Sequence, residues 1–321
     1  MTKKISLTKR SPSLKAALFG LACFFFFALS LKNPTVSAEQ IKKGLSLCGT
    51  TLIPSLFPLM VLSEFLISCG LGQRLGDLLG SPLRLLFGIS ESGCCALLLG
   101  WLFGFPVGAK AAVSLYDTGV LTKRETERLL AVCNIPGIGF VVGTVGLLLF
   151  HDRAFGLLLY AGAIFSAILF GILLRLFSPF PSSSKKAPAP RPSFTAAVFT
   201  HSVSTALSSM LSVCAYVLFF SAFVGCFSFA LSAWNAPAEL QTFLFGVFEI
   251  SSASGSAALI PNRILGAALC GFAIGWSGIS VHFQILSFCS DRGLSFRPFF
   301  AAKAFQGVFC ALLAFLYKCL L

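Results

Sequence analysis

The amino-acid sequence predicts an all-α polytopic membrane protein that consists of two inverted repeats with re-entrant or broken helices, and about seven to nine membrane segments. Three observations support this fold class. Of the 321 residues, 56% are hydrophobic and 11% are charged, whereas a soluble domain usually has about 25% charged residues. The apolar residues form long runs, of the length that a helix needs to cross a bilayer. Similar motifs stand on either side of one basic linker.

The chain begins with a basic segment that predicts a cytoplasmic N-terminus, because cytoplasmic segments collect Lys and Arg. The apolar run Ala16–Leu31 follows and predicts a first membrane helix. Val36-Ser37-Ala38 resembles a signal-peptidase site, so a cleaved signal peptide is the alternative. We expect an uncleaved helix, because the remaining chain is also membrane-embedded, and assign 1–43 to this unit. Its basic residues are Lys3, Lys4, Lys9, Arg10 and Lys15.

A linker rich in Pro, Ser and basic residues divides the remaining apolar segments into two groups. Such a composition is typical of an exposed, flexible connection. The predicted units are a first repeat at 44–177, a cytoplasmic linker at 178–200 and a second repeat at 201–321. The apolar segments are Leu45–Ile67, Gly93–Tyr116, Val132–Phe150 and Ala154–Phe177, then Ala206–Ser232, Phe243–Ile260, Leu265–Phe288 and Phe299–Leu320.

Motifs in the two halves resemble each other in the same order. FGISESG at Phe87–Gly93 resembles FEISSASG at Phe248–Gly255, and Gly100–Gly119 resembles Gly271–Gly293. The last two stretches both pass from a Gly-interrupted apolar core to an Asp-x-Gly turn, in which the Asp is most simply a turn residue. The shared order predicts an internal repeat.

The segment Gly93–Tyr116 contains the break Gly-Phe-Pro-Val-Gly, in which Pro removes a backbone donor and Gly loosens the helix. The segment is long enough to cross a bilayer as one helix. However, a crossing would place the loop after Lys123 and the basic linker outside the cell, against the preference of Lys and Arg for the cytoplasm. We therefore expect a hairpin or broken helix whose irregular backbone is buried in protein or lines a cavity.

This topology makes the two repeats inverted, because their leading helices then cross in opposite directions. Inverted repeats with discontinuous helices place a substrate site near the bilayer midplane and support alternating access. Arg263, Arg292 and Arg297 do not all fit a cytoplasmic position. The basic groups assigned to the cytoplasm are the N-terminus, Lys123, Arg124 and Arg128, and Lys185, Lys186 and Arg191.

The composition argues against several function classes. The 12 Cys form no C-x-x-C pair and no cluster with His at metal-ligand spacing, so neither a metal nor a disulfide is predicted. No nucleophile elbow or P-loop is present, so we expect no enzyme and no cofactor. The net charge of +13 reflects topology, or attraction of an anionic solute or lipid headgroups. Nucleic acid is not an expected partner, because no basic domain stands apart from the membrane. The lipid bilayer is an expected partner, and oligomerisation stays open.

The motifs GFPVGAK, DTGVLTKRETERLLAVCN and GTVG, followed by FEIS and GWSGISVHFQ, resemble those of sporulation integral membrane proteins of the YlbJ type. This family belongs to the nucleoside-recognition Gate group, which is related to concentrative nucleoside transporters. The resemblance covers most of the chain and departs after Asn134, where Ile135-Pro136-Gly137 replaces a polar residue followed by Gly-Pro. It implies endospore formation, and a transporter in the outer forespore membrane that moves dipicolinate, a small aromatic dianion, out of the mother cell.

Lys110 is a lone charge in its apolar segment, directly after the break at Gly104, Pro106 and Gly108. A cation near the membrane centre is costly and should face protein, water or an anion. One interpretation is a substrate contact, to which a helix N-terminus beside the break would add backbone N–H donors. The others are snorkelling towards the interface and an ion pair with Glu64.

The second repeat offers Ser277, Ser280, His282 and Gln284 as substrate contacts. The histidine could bind an anion, carry a proton or pack in the core, and the serines also suit helix packing. Because residues two apart on a helix point to different sides, His282 and Gln284 can contact one solute only where the backbone is irregular. Asn134 could bond the substrate or tie helices together.

Glu64 and Glu249 are isolated acids in apolar surroundings, and both are candidate proton- or ion-coupling sites. The function predicted from the residues and the resemblance is transport of a small anionic solute, dipicolinate, by alternating access. The alternatives are a nucleoside-type transporter, whose site would be mostly uncharged and polar, and a non-transporting membrane factor for assembly of the spore envelope.

Overall fold

The computed structural model describes residues 30–70, 83–177 and 194–320, together with positions 21, 24 and 26–28. Within these residues the secondary structure is helical, with π-helical segments at Cys48–Leu52 and Gly139–Leu149, and the predicted all-α class is confirmed. The basic N-terminus and most of the linker lie outside the described residues. The helices are α1 Pro34–Leu47, α2 Ile53–Ser68, α3 Glu91–Phe103, α4 Val107–Asp117, α5 Lys123–Val132, α6 Arg153–Phe177, α7 Ala196–Ala233, α8 Ala238–Phe248, α9 Ile250–Ala258, α10 Arg263–Trp276, α11 Gly278–Cys289 and α12 Arg297–Leu320.

Five helical stretches within the described residues are long and apolar enough to cross a membrane, which confirms a polytopic membrane protein. Three shorter apolar helices accompany them: α3, α8 and Gly139–Leu149, which we call the π-helix. At about 1.5 Å per residue these are too short to cross a hydrocarbon core of about 30 Å alone. The five stretches are Pro34–Ser68, Arg153–Phe177, Ala196–Ala233, Arg263–Cys289 and Arg297–Leu320.

The helix predicted at Leu45–Ile67 begins earlier than the apolar pattern indicated. It starts at Pro34 rather than Leu45 and continues through the π-helical turn into α2. Proline suits the first turn of a helix, because that turn has no partner for the missing N–H. The Sγ atom of Cys226 lies 3.6 Å from the Oγ atom of Ser30 and 2.9 Å from that of Ser37. Both residues therefore face the same part of α7, and the chain reverses at the start of α1.

The apolar segment Gly93–Tyr116 of the first repeat is broken, as predicted. Helix α3 ends at Phe103 and α4 begins at Val107. A Cβ atom on Gly108 would lie 2.7 Å from the Cα atom of Gly100, so the two arms pack side by side where both lack a side chain. We call this pair hairpin 1. Neither arm is long enough to cross the bilayer, which is the geometry of a re-entrant hairpin.

Three more of the apolar segments are interrupted. Val132–Phe150 is divided by the irregular residues 133–137 between α5 and the π-helix. Phe243–Ile260 is divided at Glu249, whose extended backbone separates α8 from α9, a pair that we call hairpin 2. In Leu265–Phe288 the break is at Ser277, which adopts a left-handed conformation with φ 71°.

Polar contacts at helix ends define the two ends of the molecule. Arg292, after α11, donates to both carboxylate oxygens of Asp117, the last residue of α4, at 2.7 and 2.8 Å. Lys318, near the end of α12, pairs with Asp152 at 2.6 Å. The first contact marks the linker end, because α6, which is antiparallel to α12, finishes there. The second marks the opposite end.

Each half contains a long helix, a hairpin, a broken helix and a second long helix. In the first half these are α2, hairpin 1, α5 with the π-helix, and α6; in the second they are α7, hairpin 2, α10 with α11, and α12. Hairpin 1 opens to the linker end, where α4 reaches Asp117. Hairpin 2 opens to the opposite end, because Ala257 of α9 packs against Gly266 near the start of α10. The repeats are therefore inverted.

The register inferred from sequence motifs was wrong, although the repeat is real. Gly100–Gly119 belongs to hairpin 1, whereas its supposed match Gly271–Gly293 is the broken helix α10–α11. FGIS precedes the first arm of hairpin 1, and FEIS forms the tip of hairpin 2. The motifs matched because every break needs small residues next to apolar ones, whichever element carries it.

The structure also places the three arginines that did not all fit a cytoplasmic position, Arg263, Arg292 and Arg297. Arg292 and Arg297 lie at the linker end, where they agree with the predicted cytoplasmic side, and Arg263 lies at the opposite end. The hydrogen bonds from Arg292 hold the pKa of Asp117 below its ordinary value. Arg128 is not a loop cation: it is 7% exposed and donates to the carbonyl oxygen of Phe87 at 2.9 Å.

This topology predicts the outcome of cysteine labelling in a bacterial plasma membrane. In intact cells a membrane-impermeant maleimide should label His151→Cys and Arg263→Cys, and it should label Lys123→Cys only after the cells are broken. The background should carry Cys319→Ser, because Cys319 is exposed. Labelling of Lys123→Cys from outside would contradict the assignment of the linker end to the cytoplasm.

Candidate functional site

The tip of hairpin 1 packs against the break in the first broken helix. The N–H of Phe105 donates to the carbonyl oxygen of Ile135 at 2.9 Å. Gly104 has φ 80° and ψ −174°, a region essentially restricted to glycine. A Cβ atom at Gly104 would also collide with the backbone of Gly137. Glycine is therefore required for both the conformation and the close approach.

The tip of hairpin 2 meets the second broken helix in the same manner. The indole Nε1–H of Trp276, the last residue of α10, donates to the carbonyl oxygen of Val247 at 3.0 Å. Gly278 has φ 76°, and a Cβ atom there would lie 3.0 Å from the carbonyl oxygen of Phe248. In each half, a hairpin tip thus lies against the break of the next element.

A small cavity of about 40 Å³ lies where the four discontinuous elements meet. It is bounded by both repeats, as expected for a site at the interface of inverted repeats. Its walls are mainly apolar, with a few polar side chains. The lining residues are Leu52, Leu56, Phe105, Pro136, Gly137, Phe140, Val213, Val217, Glu249, Ile250, Ser251, Ser280, Val281 and Gln284.

The cavity receives the amino-terminal ends of half-helices. The π-helix reaches it with Gly137 and Phe140, α9 with Ile250 and Ser251, and α11 with Ser280. The residue before the N-cap of α4, Phe105, lines it too. Helix N-termini carry partial positive charge and unpaired N–H groups, so they favour negative charge nearby.

The carboxyl-terminal ends at the same breaks are covered by side-chain donors instead. Trp101 Nε1–H donates to the carbonyl oxygen of Val132 at the end of α5, at 2.9 Å. Trp276 covers Val247 at the end of α8, as described above. The carbonyl oxygen of Trp276, at the end of α10, lies 2.9 Å from Nε2 of His282. The negative ends are therefore neutralised, whereas the positive ends face the cavity.

Two of the predicted contacts, Ser280 and Gln284, line this cavity one helical turn apart on α11. They are 1% and 3% exposed, and neither the Ser280 Oγ atom nor the Gln284 Oε1 atom has a hydrogen-bond partner among the described residues. A buried polar atom without a partner is costly and requires an explanation. Rotation of the Gln284 carboxamide would present N–H donors to a solute.

His282 does not line the cavity, although it lies between these two residues. Its ring packs edge-on against Trp276 at 4.3 Å and Phe299 at 5.1 Å between centroids. Since α11 is regular at this point, residues two apart point to different sides, and His282 and Gln284 do not meet one solute there. The position of His282 matches the packing interpretation.

Glu249 lines the cavity, but its carboxylate already has partners. Its two oxygens accept hydrogen bonds from the backbone N–H groups of Ser251 at 2.9 Å and Ser252 at 2.6 Å. The side chain therefore caps the N-terminus of α9, and the residue is 1% exposed. The positive end of α9 is therefore already occupied by the Glu249 carboxylate.

Lys110, one of the predicted substrate contacts, lies in a separate small pocket beside α2, apart from the cavity that Ser280 and Gln284 line. Its Nζ atom pairs with the carboxylate of Glu64 at 3.0 Å and donates to the Ser209 hydroxyl at 2.8 Å. These contacts correspond to the alternative in which Lys110 and Glu64 neutralise each other. Both side chains are largely buried, so the pair is protected from water.

The remaining predicted residues shape the breaks rather than the cavity wall. Gly108 packs against the Cys133 carbonyl oxygen, and Pro106 is the N-cap of α4. The Asn134 Nδ2 atom donates to the Leu130 carbonyl oxygen at 2.7 Å. The proline and glycine after Asn134, where the family pattern changes, contribute directly to the wall.

A buried lysine that the sequence reasoning missed lies at the centre of this arrangement. Lys303 of α12 is 0% exposed, and its Nζ atom donates to the Asn134 carbonyl oxygen and, at 3.2 Å, to the Ser277 hydroxyl. These two oxygens belong to the breaks of opposite repeats. The sequence contained a signal for it, because Lys303 is a cation flanked on both sides by apolar residues, as Lys110 is.

Comparison with known proteins supports the resemblance on which the family expectation rested. The chain is 28% identical over 332 aligned residues to "Sporulation integral membrane protein YlbJ" of Bacillus subtilis (strain 168), and the match covers 92% of this chain and 81% of that protein. No family model matches the chain, and no solved structure matches it. The chain is therefore similar, over nearly its whole length, to a sporulation integral membrane protein of the YlbJ type.

Proposed function

We propose that this sporulation membrane protein is a carrier for a small anionic solute and works by alternating access between its two inverted halves. One observation carries the proposal: at the central cavity the positive ends of the π-helix and of α11 have no side-chain cap, whereas negative ends are covered by Trp101, Trp276 and His282. Such a cavity attracts anions and repels cations.

The side chains in the cavity suit a solute with two carboxylates and an aromatic ring. Ser280 and Gln284 supply hydrogen-bonding groups without other partners. Phe105 and Phe140 line the same space and provide ring faces for stacking. The N-termini of the π-helix and of α11 come from opposite halves, so each can receive one carboxylate. Glu249 already occupies the N-terminus of α9.

Dipicolinate fits this description, and the family resemblance suggests it as the solute. We propose that the protein carries it from the mother cell across the outer forespore membrane, with the linker end in the mother-cell cytoplasm. In this proposal the protein acts as a carrier in the lipid bilayer and performs no chemical reaction. Coupling through Glu64 is not supported by its pairing with Lys110.

The direct test is uptake of radiolabelled dipicolinate by proteoliposomes. We expect Gln284→Leu to lower the uptake rate at least about tenfold, because a solute carboxylate then loses its hydrogen bond inside a buried site. Ser280→Ala should lower it less. Ser287→Ala is the control, since Ser287 also lies on α11 but bonds the Gln284 backbone carbonyl rather than the cavity.

A nucleoside-type carrier is the second candidate, because Glu249 is the one charged residue among the described residues that line the cavity. Uridine uptake in the same vesicles distinguishes the two solutes. Absence of uptake of either solute by the wild type would favour the non-transporting assembly factor. In sporulating cells, deletion of the gene should leave dipicolinate in the mother cell and deplete it in the spore; normal partition would refute the carrier proposal.

A further inference from the structure

Lys303 is placed where a cation has unusual surroundings. It lies on α12 between the two broken helices, and the residue is 0% exposed. Among the described residues it forms no ion pair with a carboxylate, in contrast to Lys110 and Lys318, which have Glu64 and Asp152. A buried ammonium without an anion must be stabilised by oxygen dipoles, because burial of an unpaired charge is costly.

Three oxygens from three different elements supply these dipoles. The Nζ atom donates to the carbonyl oxygen of Asn134, to the hydroxyl of Ser277 at 3.2 Å and to the carboxamide Oε1 of Gln306 at 3.0 Å. An ammonium group has three N–H donors, and all three are used. Asn134 follows the C-terminus of α5, where the helix dipole is negative and favours a cation.

The chemistry of these oxygens matches that of a monovalent cation site. Unwound backbone carbonyls and half-helix C-termini at the midplane of inverted-repeat carriers are groups that coordinate Na⁺. A hydroxyl and a carboxamide oxygen are further neutral ligands of the same hard type. We propose that the oxygens of Asn134, Ser277 and Gln306 form an internal cation site and that the Lys303 ammonium is its permanent, tethered occupant.

Two consequences follow from a tethered occupant. The cation holds the two breaks together at all times, because its ligands come from opposite repeats. No free cation enters the site, so uptake by the carrier proposed above should not depend on Na⁺. This second consequence rests on the proposed function, whereas the first does not.

The test is a thermal-unfolding measurement on the purified full-length protein, which requires no solute. Lys303→Ala removes the ammonium and leaves room for an ion, and its melting temperature should fall in choline chloride. Methylammonium or Na⁺ at ten times its dissociation constant should restore about 2 °C. Lys303→Met is the matched control: its side chain fills the space, so these cations should restore nothing. The wild type should melt at the same temperature in all these salts of equal ionic strength.

Several results would overturn the proposal. Lys303→Ala could melt at the same temperature in choline, Na⁺ and methylammonium, or Na⁺ could stabilise Lys303→Met as well. If Lys303→Ala does not fold, the wild type decides: a specific rise of its melting temperature in Na⁺, or Na⁺-stimulated uptake, would show that the site is open to free ions. If the wild type takes up neither dipicolinate nor uridine, the proposed function fails, but the melting temperatures still test the cation site.

Discussion

Gly104→Ala should be among the most damaging single substitutions in this protein, and it should lower the free energy of unfolding by about 3 kcal/mol or more. Alanine is strained at φ 80° and ψ −174°, which accounts for about 1 to 3 kcal/mol. Its Cβ atom would also collide with the Gly137 backbone, which has no flexible end that can move aside. The tip of hairpin 1 would separate from the break of the first broken helix. Thermal unfolding in detergent measures the loss.

Gly119→Ala is the matched control for this substitution. Gly119 also has a positive φ, 73°, but a Cβ atom there would have no atom within 4 Å. The control therefore carries backbone strain without the collision, and it should cost about 1 kcal/mol. Equal losses for the two variants would mean that the contact between hairpin tip and break contributes nothing to stability.

Lys110→Ala and Glu64→Ala should each destabilise the protein strongly, and the double variant should be more stable than the sum of the two losses predicts. Removing one partner of a buried pair leaves an uncompensated charge and costs about 3 to 5 kcal/mol. The side chains are 21% and 15% exposed, so each single loss should fall near the lower figure. Removing both charges together avoids that penalty, and the coupling energy should be about 2 kcal/mol.

The same cycle distinguishes an ion pair from a substrate contact. If Lys110 bound the solute, Lys110→Ala would abolish uptake at nearly unchanged stability, and Glu64→Ala would have little effect on either quantity. Lys110→Ala with normal melting and no uptake would therefore contradict the pairing. Substitution of Ser209, which also accepts from Lys110, should give a smaller loss because the ion pair remains.

Hairpin 1 could be predicted from the sequence because the residue types at its break disfavour a continuous helix. Proline flanked by glycines cannot continue a helix, and the basic residues after α4 indicate on which side the chain returns. The break at Glu249 carries no such residues. It exists because the glutamate side chain caps the helix that follows, and the sequence FEIS does not distinguish this from an uninterrupted apolar run.

The candidate site was only partly predictable, for reasons of long-range packing. Ser280 and Gln284 could be named because polar residues one turn apart in an apolar helix are conspicuous. Lys110 and Lys303 have the same signal in the sequence, a cation flanked on both sides by apolar residues. Their roles differ because α2 brings a carboxylate to one, whereas two helix breaks bring neutral oxygens to the other. Local pattern carries no information about these partners.

The inverted halves differ in how their hairpin tips are held, and this difference has a consequence for the cycle of the carrier proposed above. The tip of hairpin 1 is fixed by backbone contacts at Phe105, whereas that of hairpin 2 is fixed by the indole of Trp276 and by the cap at Glu249. Two identical halves would present the cavity equally to both sides of the membrane. The difference between the two halves therefore determines from which side of the membrane the cavity is reached. If each half adopted the backbone conformation of the other, the cavity would be reached from the opposite side of the membrane.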